Sequence, residues 1–374
     1  MKDLVLIGGG HAHVEVIKRL SKLSPRMNSM ILISEHRYTP YSGMLPGLIA
    51  GHYSFEECHI DLLELCKKHQ FEFIEDKVIG VNHDNNTLET HSSSKHRYDI
   101  ASIDTGSTPS LHSTKGASTW VLPIKPVPEF LDGIKVFFEK TKLRLAGEQS
   151  ELLVVGGGAA SVEVALSLNQ RIRQMKLNNI RVTLATENQD LLTNHALAVR
   201  RQLKRKLHDC GIRVLYGSRI KTVDNQGVIT DDDDRIDADL TIWCTGASAP
   251  PWPSYSNLPT TPDGFIRTDQ TLRVLGTKNL FAAGDISSID NQTYPKSGVY
   301  AVKQGPVLAT NIENQINEVD LIPYRPQKHS LAILSTGGKY AVASRSLFCA
   351  SGRWVWHLKD YIDRRFMRQY QSHS

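Results

Sequence analysis

Two short stretches hold the residues best suited to chemistry. Leu4 opens "LVLIGGGHAHVEV" and Leu152 opens "LLVVGGGAASVEV". Counted from Gly8 and from Gly156, seven of nine positions are identical. A strand that ends in G-x-G ahead of a helix leaves bare N–H groups at the helix N-terminus. The partial positive charge there holds a pyrophosphate. Gly8 and Gly156 would make the sharp turn, and Gly10 and Gly158 would let phosphate approach the backbone. A third glycine normally allows close helix–strand packing, and both copies lack it: His13 and Ser161 stand there. Two readings stay open for the first copy. Either His13 or His11 adds a donor to the pyrophosphate, or the change is one of packing. For Ser161 the packing change is the expectation. An acidic residue past the second strand of each unit binds ribose hydroxyls. The candidates are Ser34 or Glu35 in the first unit and Thr186 or Glu187 in the second. A glutamate there, with no arginine at that strand end, favours NADH over NADPH in the second unit.

The elements that must position these loops are legible from periodicity. "DLVLI" from Asp3 is a short apolar run, Val14, Val16, Ile17 and Leu20 have helical spacing, and "MILIS" from Met30 is a second apolar run. Strand, glycine turn, helix and strand make the βαβ unit of a parallel sheet. Residues 71–83 and 85–98 alternate like antiparallel strands, and "YDIASIDTGS" runs a strand into Thr105–Gly106. The second copy repeats the order and closes on "DLTIWCTGAS", with Thr245–Gly246. This is duplication at domain scale rather than a solenoid period. "NLFAAGDIS" from Asn279 is a late strand ending in Gly284–Asp285, and the loop from Tyr294 feeds a further helix. The run Asp231–Asp234 reads as a solvated hairpin tip.

Composition narrows the function classes. The chain has 374 residues, 40% hydrophobic and 22% charged, enough for two to three packed units. A net charge of +5 is too weak and too spread to argue nucleic acid. No run of ~18 apolar residues predicts a membrane span. The N-terminus enters a strand with no signal-peptide pattern, so a cytoplasmic chain is the simplest expectation. Five scattered cysteines, with no CxxC or CxxxxC pair, read as reduced thiols and not as a zinc site or disulfide framework. No metal is expected.

Two dinucleotide folds, the second inserted in the first, with a late "FAAGD", resemble the two-dinucleotide-binding-domain flavoproteins of the pyridine nucleotide-disulfide oxidoreductase superfamily. The resemblance implies an α/β fold with two Rossmann-like domains and a C-terminal α+β segment. It implies an FAD-binding part over 1–110, a crossover over 111–148, an NAD(P)-binding domain over 149–256, the rest of the FAD domain over 257–320, and an interface segment over 321–374. Disulfide reductases carry a CxxxxC soon after the FAD ribose strand. Here "RYTPYSGMLPGLIAGHY" has no cysteine and resembles type II NADH dehydrogenases and sulfide:quinone oxidoreductases. The cysteine positions of sulfide oxidation are not filled, since residues 107–150 have none. "GGGHAHVEV", "YTPYSGMLPGLIAGHY", "PKSGVYAVKQGP" and "GRWVWHLKDYIDRRFMRQ" further resemble the flavoprotein module fused ahead of selenophosphate synthetase, here in a free-standing version.

The same resemblance assigns roles. FAD would meet Gly8, Gly10, His11, Ala12, His13, Ser34, Glu35, Pro40, Val78, Thr105, Gly106, Gly284, Asp285, Gly298 and Val299. NAD(P)H would meet Gly156, Gly158, Ala159, Ala160, Ser161, Glu187, Thr245 and Gly246. One departure is Asp104, where the family usually has alanine. Glu163 would lie near the nicotinamide and assist proton traffic, with an ordinary helix glutamate, like Glu15 in the first copy, as the alternative. Lys296, ahead of the helix that starts at Gly298, would face the flavin or be a loop lysine. Lys125 lies in the crossover. The implied activity is hydride transfer from NAD(P)H through flavin to a quinone-like acceptor. A regulator of selenium or sulfur metabolism that binds nucleotides without turnover is the alternative. On the last helix, Trp354, Leu358, Tyr361, Ile362 and Phe366 share a face, beside Arg353, Lys359, Arg364, Arg365 and Arg368. That face would meet the inner face of a membrane, the protein's own core, or a second copy in a homodimer.

Overall fold

A computed structural model of the chain describes residues 1–111, 113–145, 148–327, 330–346 and 348–371. Its first parallel sheet is built on Lys2–Ile7. That strand pairs with Met27–Ser34 on one side and Ile100–Ile103 on the other. Glu72–Glu75 extends one edge and Leu280–Ala282 the other. The strand at Leu280 comes from beyond the second glycine loop in the chain. The second unit is therefore inserted into the first, as the late Gly–Asp motif led us to expect.

The second sheet repeats the plan around Ser150–Val155, flanked by Ile180–Ala185 and Leu240–Trp243. Arg213–Leu215 forms one edge, and Val121–Pro123 the other. The segment read as a crossover thus donates an edge strand to the second sheet. Its helix, Val127–Lys142, adds Phe130, Ile134, Phe137 and Phe138 to the same core.

Both central strands are buried on both faces, so their runs are continuously apolar, as in sheets covered on two sides. Side chains still alternate between layers. Leu4 and Leu6 face one core while Val5 and Ile7 face another. Leu152 and Val154 likewise part from Leu153 and Val155. The outer layer of each unit is a three-stranded antiparallel sheet, Val78–Arg97 in the first and Ile220–Asp237 in the second. The antiparallel expectation for 71–83 holds only from Val78. Glu72–Glu75 joins the parallel sheet, because Phe71 and Phe73 fill the core under it. Asp231–Asp234 is the exposed tip of the second antiparallel sheet.

The C-terminal segment ties the units together. Ala332–Thr336, Gly338–Arg345 and Phe348–Gly352 form an antiparallel sheet whose Leu334 and Val342 enter the second core. The helix Arg353–Met367 then returns to the first unit, where Phe366, Met367 and Tyr370 are buried. Tyr370 donates its hydroxyl hydrogen to Glu15 at 2.5 Å, and Tyr53 donates to Asp360 at 2.8 Å.

Candidate functional site

A cleft of about 910 Å³ opens between the two units. The second glycine loop forms one wall, with Gly156, Gly158, Ala159 and Ala160. Glu187, Thr245 and Gly246 also line it. Lys125, Glu163, Asp285, Lys296 and Gly298 line the same cleft. The tertiary fold therefore gathers candidates that lie far apart in the chain.

At the second loop the fit to a dinucleotide is direct. Gly156 has φ +140°, and a Cβ there would fall 2.5 Å from the Cys244 carbonyl oxygen. A Cβ on Gly158 would meet nothing within 4 Å, so its backbone faces open cleft. The strand ends at Ala185; Thr186 is buried and Glu187 is exposed on the cleft. This register makes Glu187 the ribose candidate. Arg219, 3.8 Å from Glu187, is a cleft residue that strand-end inspection misses, because it arrives from a later part of the chain. Ser161 is fully buried and its hydroxyl donates to the Gly158 carbonyl at 2.8 Å. It braces the turn, so its side chain is not a ligand.

The first loop turns the same way. Gly8 has φ +90°, and a Cβ would fall 2.6 Å from the Asp104 carbonyl oxygen. Ser34 ends its strand buried, its hydroxyl donating to the His36 carbonyl. Glu35 lies just beyond, exposed and paired with Lys77 at 2.9 Å, and is the ribose candidate here. His13 is corrected by the structure. Its ring is fully enclosed, with Nδ1 2.7 Å from the Gly8 carbonyl and Nε2 2.9 Å from the Ser102 hydroxyl. Both nitrogens are engaged by protein, so the ring packs the helix and does not bond phosphate. His11 is the better candidate. Its Nε2 is buried without a protein partner. Burial holds its pKa down at about 4, with nearby Asp285 opposing and Lys125 adding to the shift. A neutral ring with one unmatched nitrogen beside the Gly–Asp motif suits an uncharged polar group of a cofactor.

The remaining first-unit residues surround that position unevenly. Pro40 ends the strand Tyr38–Pro40, which leads into Tyr41 and Ser42. Ser42 lines the cleft beside Gly298, and a Cβ on Gly298 would fall 2.8 Å from its hydroxyl. Val299 is exposed at the start of the helix Gly298–Asn317. Ala12 is buried, Thr105 is exposed and Gly106 has φ +74°. Val78 points its side chain into the core, leaving only its backbone for a ligand. Gly284 donates its N–H to Gln304 Oε1 at 2.6 Å. Asp285 Oδ2 accepts from Lys125 Nζ at 3.2 Å and from the Ser107 hydroxyl at 3.3 Å. Lys125 is thus held in the cleft by the Gly–Asp motif. Lys296 Nζ donates to the Ser287 carbonyl and lies 4.3 Å over the Phe265 ring. Burial lowers its pKa to about 8, against the pull of Asp285.

Glu163 is the group with the most unusual setting. Its Oε1 accepts the Ser335 N–H at 2.7 Å. Burial raises its pKa to about 7, while Lys359 and the Ser335 N–H oppose and Asp363 adds. Lys359 and Asp363 pair at 2.7 Å, and Lys359 also donates to the Gly43 carbonyl at 2.5 Å. Lys359 is therefore no surface charge. Arg364 is likewise committed, to Glu57 at 2.7 Å and Asp360 at 2.9 Å. Sequence inspection placed both on a basic face. The signal it lacked was the carboxylates brought up by other elements.

Two Rossmann-like sheets, each opening on a glycine loop, with the second unit nested in the first and a cleft between them, define a two-dinucleotide oxidoreductase. The pyridine nucleotide-disulphide oxidoreductase family model matches residues 2–305, and the chain belongs to that family. FAD and NAD(P)H are the cofactors the family implies. The chain is 23% identical over 375 residues to a probable NADH dehydrogenase of Dictyostelium discoideum, covering 94% of this chain and 82% of the relative. It is 24% identical to the alternative NAD(P)H-ubiquinone oxidoreductase C1 of Arabidopsis thaliana, covering 90% and 72%. Among solved structures, the sulfide:quinone oxidoreductase of Aquifex aeolicus aligns with TM-score 0.80 at 21% identity, over 99% of this chain and 91% of that one. NDH2 of Plasmodium falciparum in complex with NADH aligns with TM-score 0.79 at 16% identity, over 99% and 98%.

Proposed function

We propose that this chain is an FAD-dependent NAD(P)H dehydrogenase that delivers electrons to a quinone-like acceptor. The observation that carries the reading is Glu163, which lines the same cleft as the open second loop and as Asp285, Lys296 and Gly298. Bound FAD supplies the hydride acceptor and the electron relay. The protein's part is positioning and proton handling. Gly156, Gly158 and Glu187 would hold the pyrophosphate and ribose of NAD(P)H, in the cleft that Glu163 also lines. The positive end of the helix at Gly298, with Lys296 beside it, favours negative charge there. Quinone reduction consumes protons as well as electrons. Glu163, with a pKa near 7 and Oε1 tied to Ser335, holds a proton on Oε2 for that demand.

The thiols support a quinone reductase over a sulfide oxidant. Cys244 is the one cysteine lining the cleft among the described residues, and burial pushes its thiol far above the usual range. A poorly ionised single thiol is a weak sulfur carrier. The link to selenophosphate synthesis rests on four sequence segments, two of which contribute cleft residues, Ser42 from one and Lys296 and Gly298 from another. The test is anaerobic. NADH should bleach the flavin absorbance of the purified, FAD-loaded protein, and a soluble quinone should restore it. A flavin that NADH does not bleach leaves the chain as a nucleotide-binding regulator. Restoration by sulfane sulfur but not by quinone overturns the acceptor class.

A lipid-soluble acceptor also suits the last helix. No helix among the described residues is long and apolar enough to cross a membrane. Trp354, Leu358, Tyr361 and Ile362 are nonetheless exposed on one face, with Arg353, Arg365 and Arg368. Phe366 leaves that face for the core. We read the exposed stripe as a peripheral contact with anionic lipid.

A further inference from the structure

Asp104, which stands where alanine is usual, places its carboxyl group on the first glycine loop. Its Oδ2 accepts the N–H of Ala12 at 2.8 Å and of His13 at 3.2 Å. These are two of the helix-start donors that a G-x-G turn offers to a phosphate. A Cβ built on Gly10 would fall 2.2 Å from the Asp104 carboxyl carbon, and one on Gly284 2.2 Å from Oδ1. The carboxyl therefore fills the space that two motif glycines leave bare. Asp104 is 2% exposed. The second loop is the internal control. Its equivalent residue is Cys244, which carries no carboxyl group, and a Cβ on Gly158 would meet only open cleft.

We propose that Asp104 is a proton-linked gate on FAD retention: the first loop takes the FAD pyrophosphate with Asp104 protonated, and an ionised Asp104 competes with it. The proposal rests on the reading that the first loop holds FAD. Binding at neutral and higher pH then draws one proton from solvent onto the Asp104 carboxyl, and release returns it. No bond to the cofactor forms and no electron moves.

The surroundings fix the direction. Burial raises the Asp104 pKa to about 7, the N–H groups of His13 and Ala12 oppose, Asp285 adds repulsion, and Lys125 attracts. Lys125 is shared with Asp285 at 3.2 Å, so it does not neutralise Asp104 alone. His11 and His13, the other titratable groups near the loop, are both held at about 4 by burial and stay neutral. Gln304, on the packed helix, is uncharged and bonds Gly284. A pyrophosphate brought to this loop adds negative charge, which lifts the Asp104 pKa further. The FAD dissociation constant should be flat below the free-protein pKa. Above it the constant should rise by up to about tenfold per pH unit, one proton being linked to binding.

The experiment is equilibrium FAD binding to the deflavinated full chain, read by flavin fluorescence between about pH 6 and 9. Wild type should weaken with rising pH. Asp104→Asn should bind with no such slope, and at about pH 8.5 should exceed wild type by tenfold or more. Asp104→Ala tests the same slope should the amide variant fold poorly. A flat wild-type profile, or a variant that keeps the wild-type slope, overturns the gate while leaving the FAD assignment standing. Failure of wild type and both variants to bind FAD at any pH overturns the assignment and the gate together.

Discussion

At the scale of single residues, Glu163 and Glu15 show how one motif position acquires two jobs. Both are the glutamate of "VEV" after a glycine loop. Glu15 is consumed by Arg19 and the Tyr370 hydroxyl, each at 2.5 Å, and anchors the chain's end. Glu163 lines the cleft and commits only Oε1, to the Ser335 N–H, among the hydrogen bonds of the described residues. Glu163→Gln should slow flavin reoxidation by quinone about 10²-fold while leaving reduction by NADH near wild type, measured by stopped flow in separate half-reactions. Protonated Glu163 is the competent form, and its pKa is raised to about 7. Wild-type reoxidation should therefore fall as pH rises through about 7, and the glutamine variant should lose that dependence. Equal loss in both half-reactions would place Glu163 in nucleotide binding instead.

At the scale of elements, the two glycine turns respond differently to a methyl group. Gly8→Ala forces an L-residue to φ +90° and drives Cβ to 2.6 Å from the Asp104 carbonyl. The left-handed conformation alone costs about 1–2 kcal/mol, and the clash adds to it. Urea denaturation should show the loss even without cofactor. Gly158→Ala meets nothing within 4 Å, so the fold should keep its denaturation midpoint. Its Cβ enters the space where phosphate approaches, and the KM for NADH should rise tenfold or more. The last helix supplies a third element-level prediction. Leu358→Glu with Tyr361→Glu changes only exposed positions and should leave the melting temperature unchanged. Co-sedimentation with anionic vesicles should be lost. If the parent chain does not sediment with such vesicles, the stripe has another purpose.

At the scale of the whole molecule, the C-terminal segment holds the two units in register across the cleft. Its sheet rests on the second unit and its helix on the first. Lys359 and Asp363 are the charged pin of that arrangement, both nearly enclosed. Lys359→Met leaves Asp363 buried and unpaired and should cost about 3–5 kcal/mol. The double variant with Asp363→Leu should recover most of that stability, as measured by thermal or urea unfolding. Asp104 and Glu163 add a global pH effect. Both have native pKa values raised well above the ordinary carboxylate range. Each contributes stability present at acidic pH and lost as pH rises through about 7, since the unfolded state releases its proton first.

The sequence by itself determined the duplicated plan. Apolar runs, helical periodicity and glycine turns are local signals, and they recur in order in both copies. It also pointed to the two glycine loops as candidate nucleotide sites, because phosphate recognition uses backbone N–H groups placed by a short motif. It did not determine what the third position of each loop does. His13 and Ser161 became packing residues because their partners, Ser102 and the turn carbonyls, are set by the fold. Nor did it show that Lys359 and Arg364 are paired inward, that Val121–Pro123 completes the second sheet, or that Asp104 lies across the first loop. Those facts depend on groups brought together from distant parts of the chain. Burial then decides their charge states, and burial is a property of the tertiary structure alone.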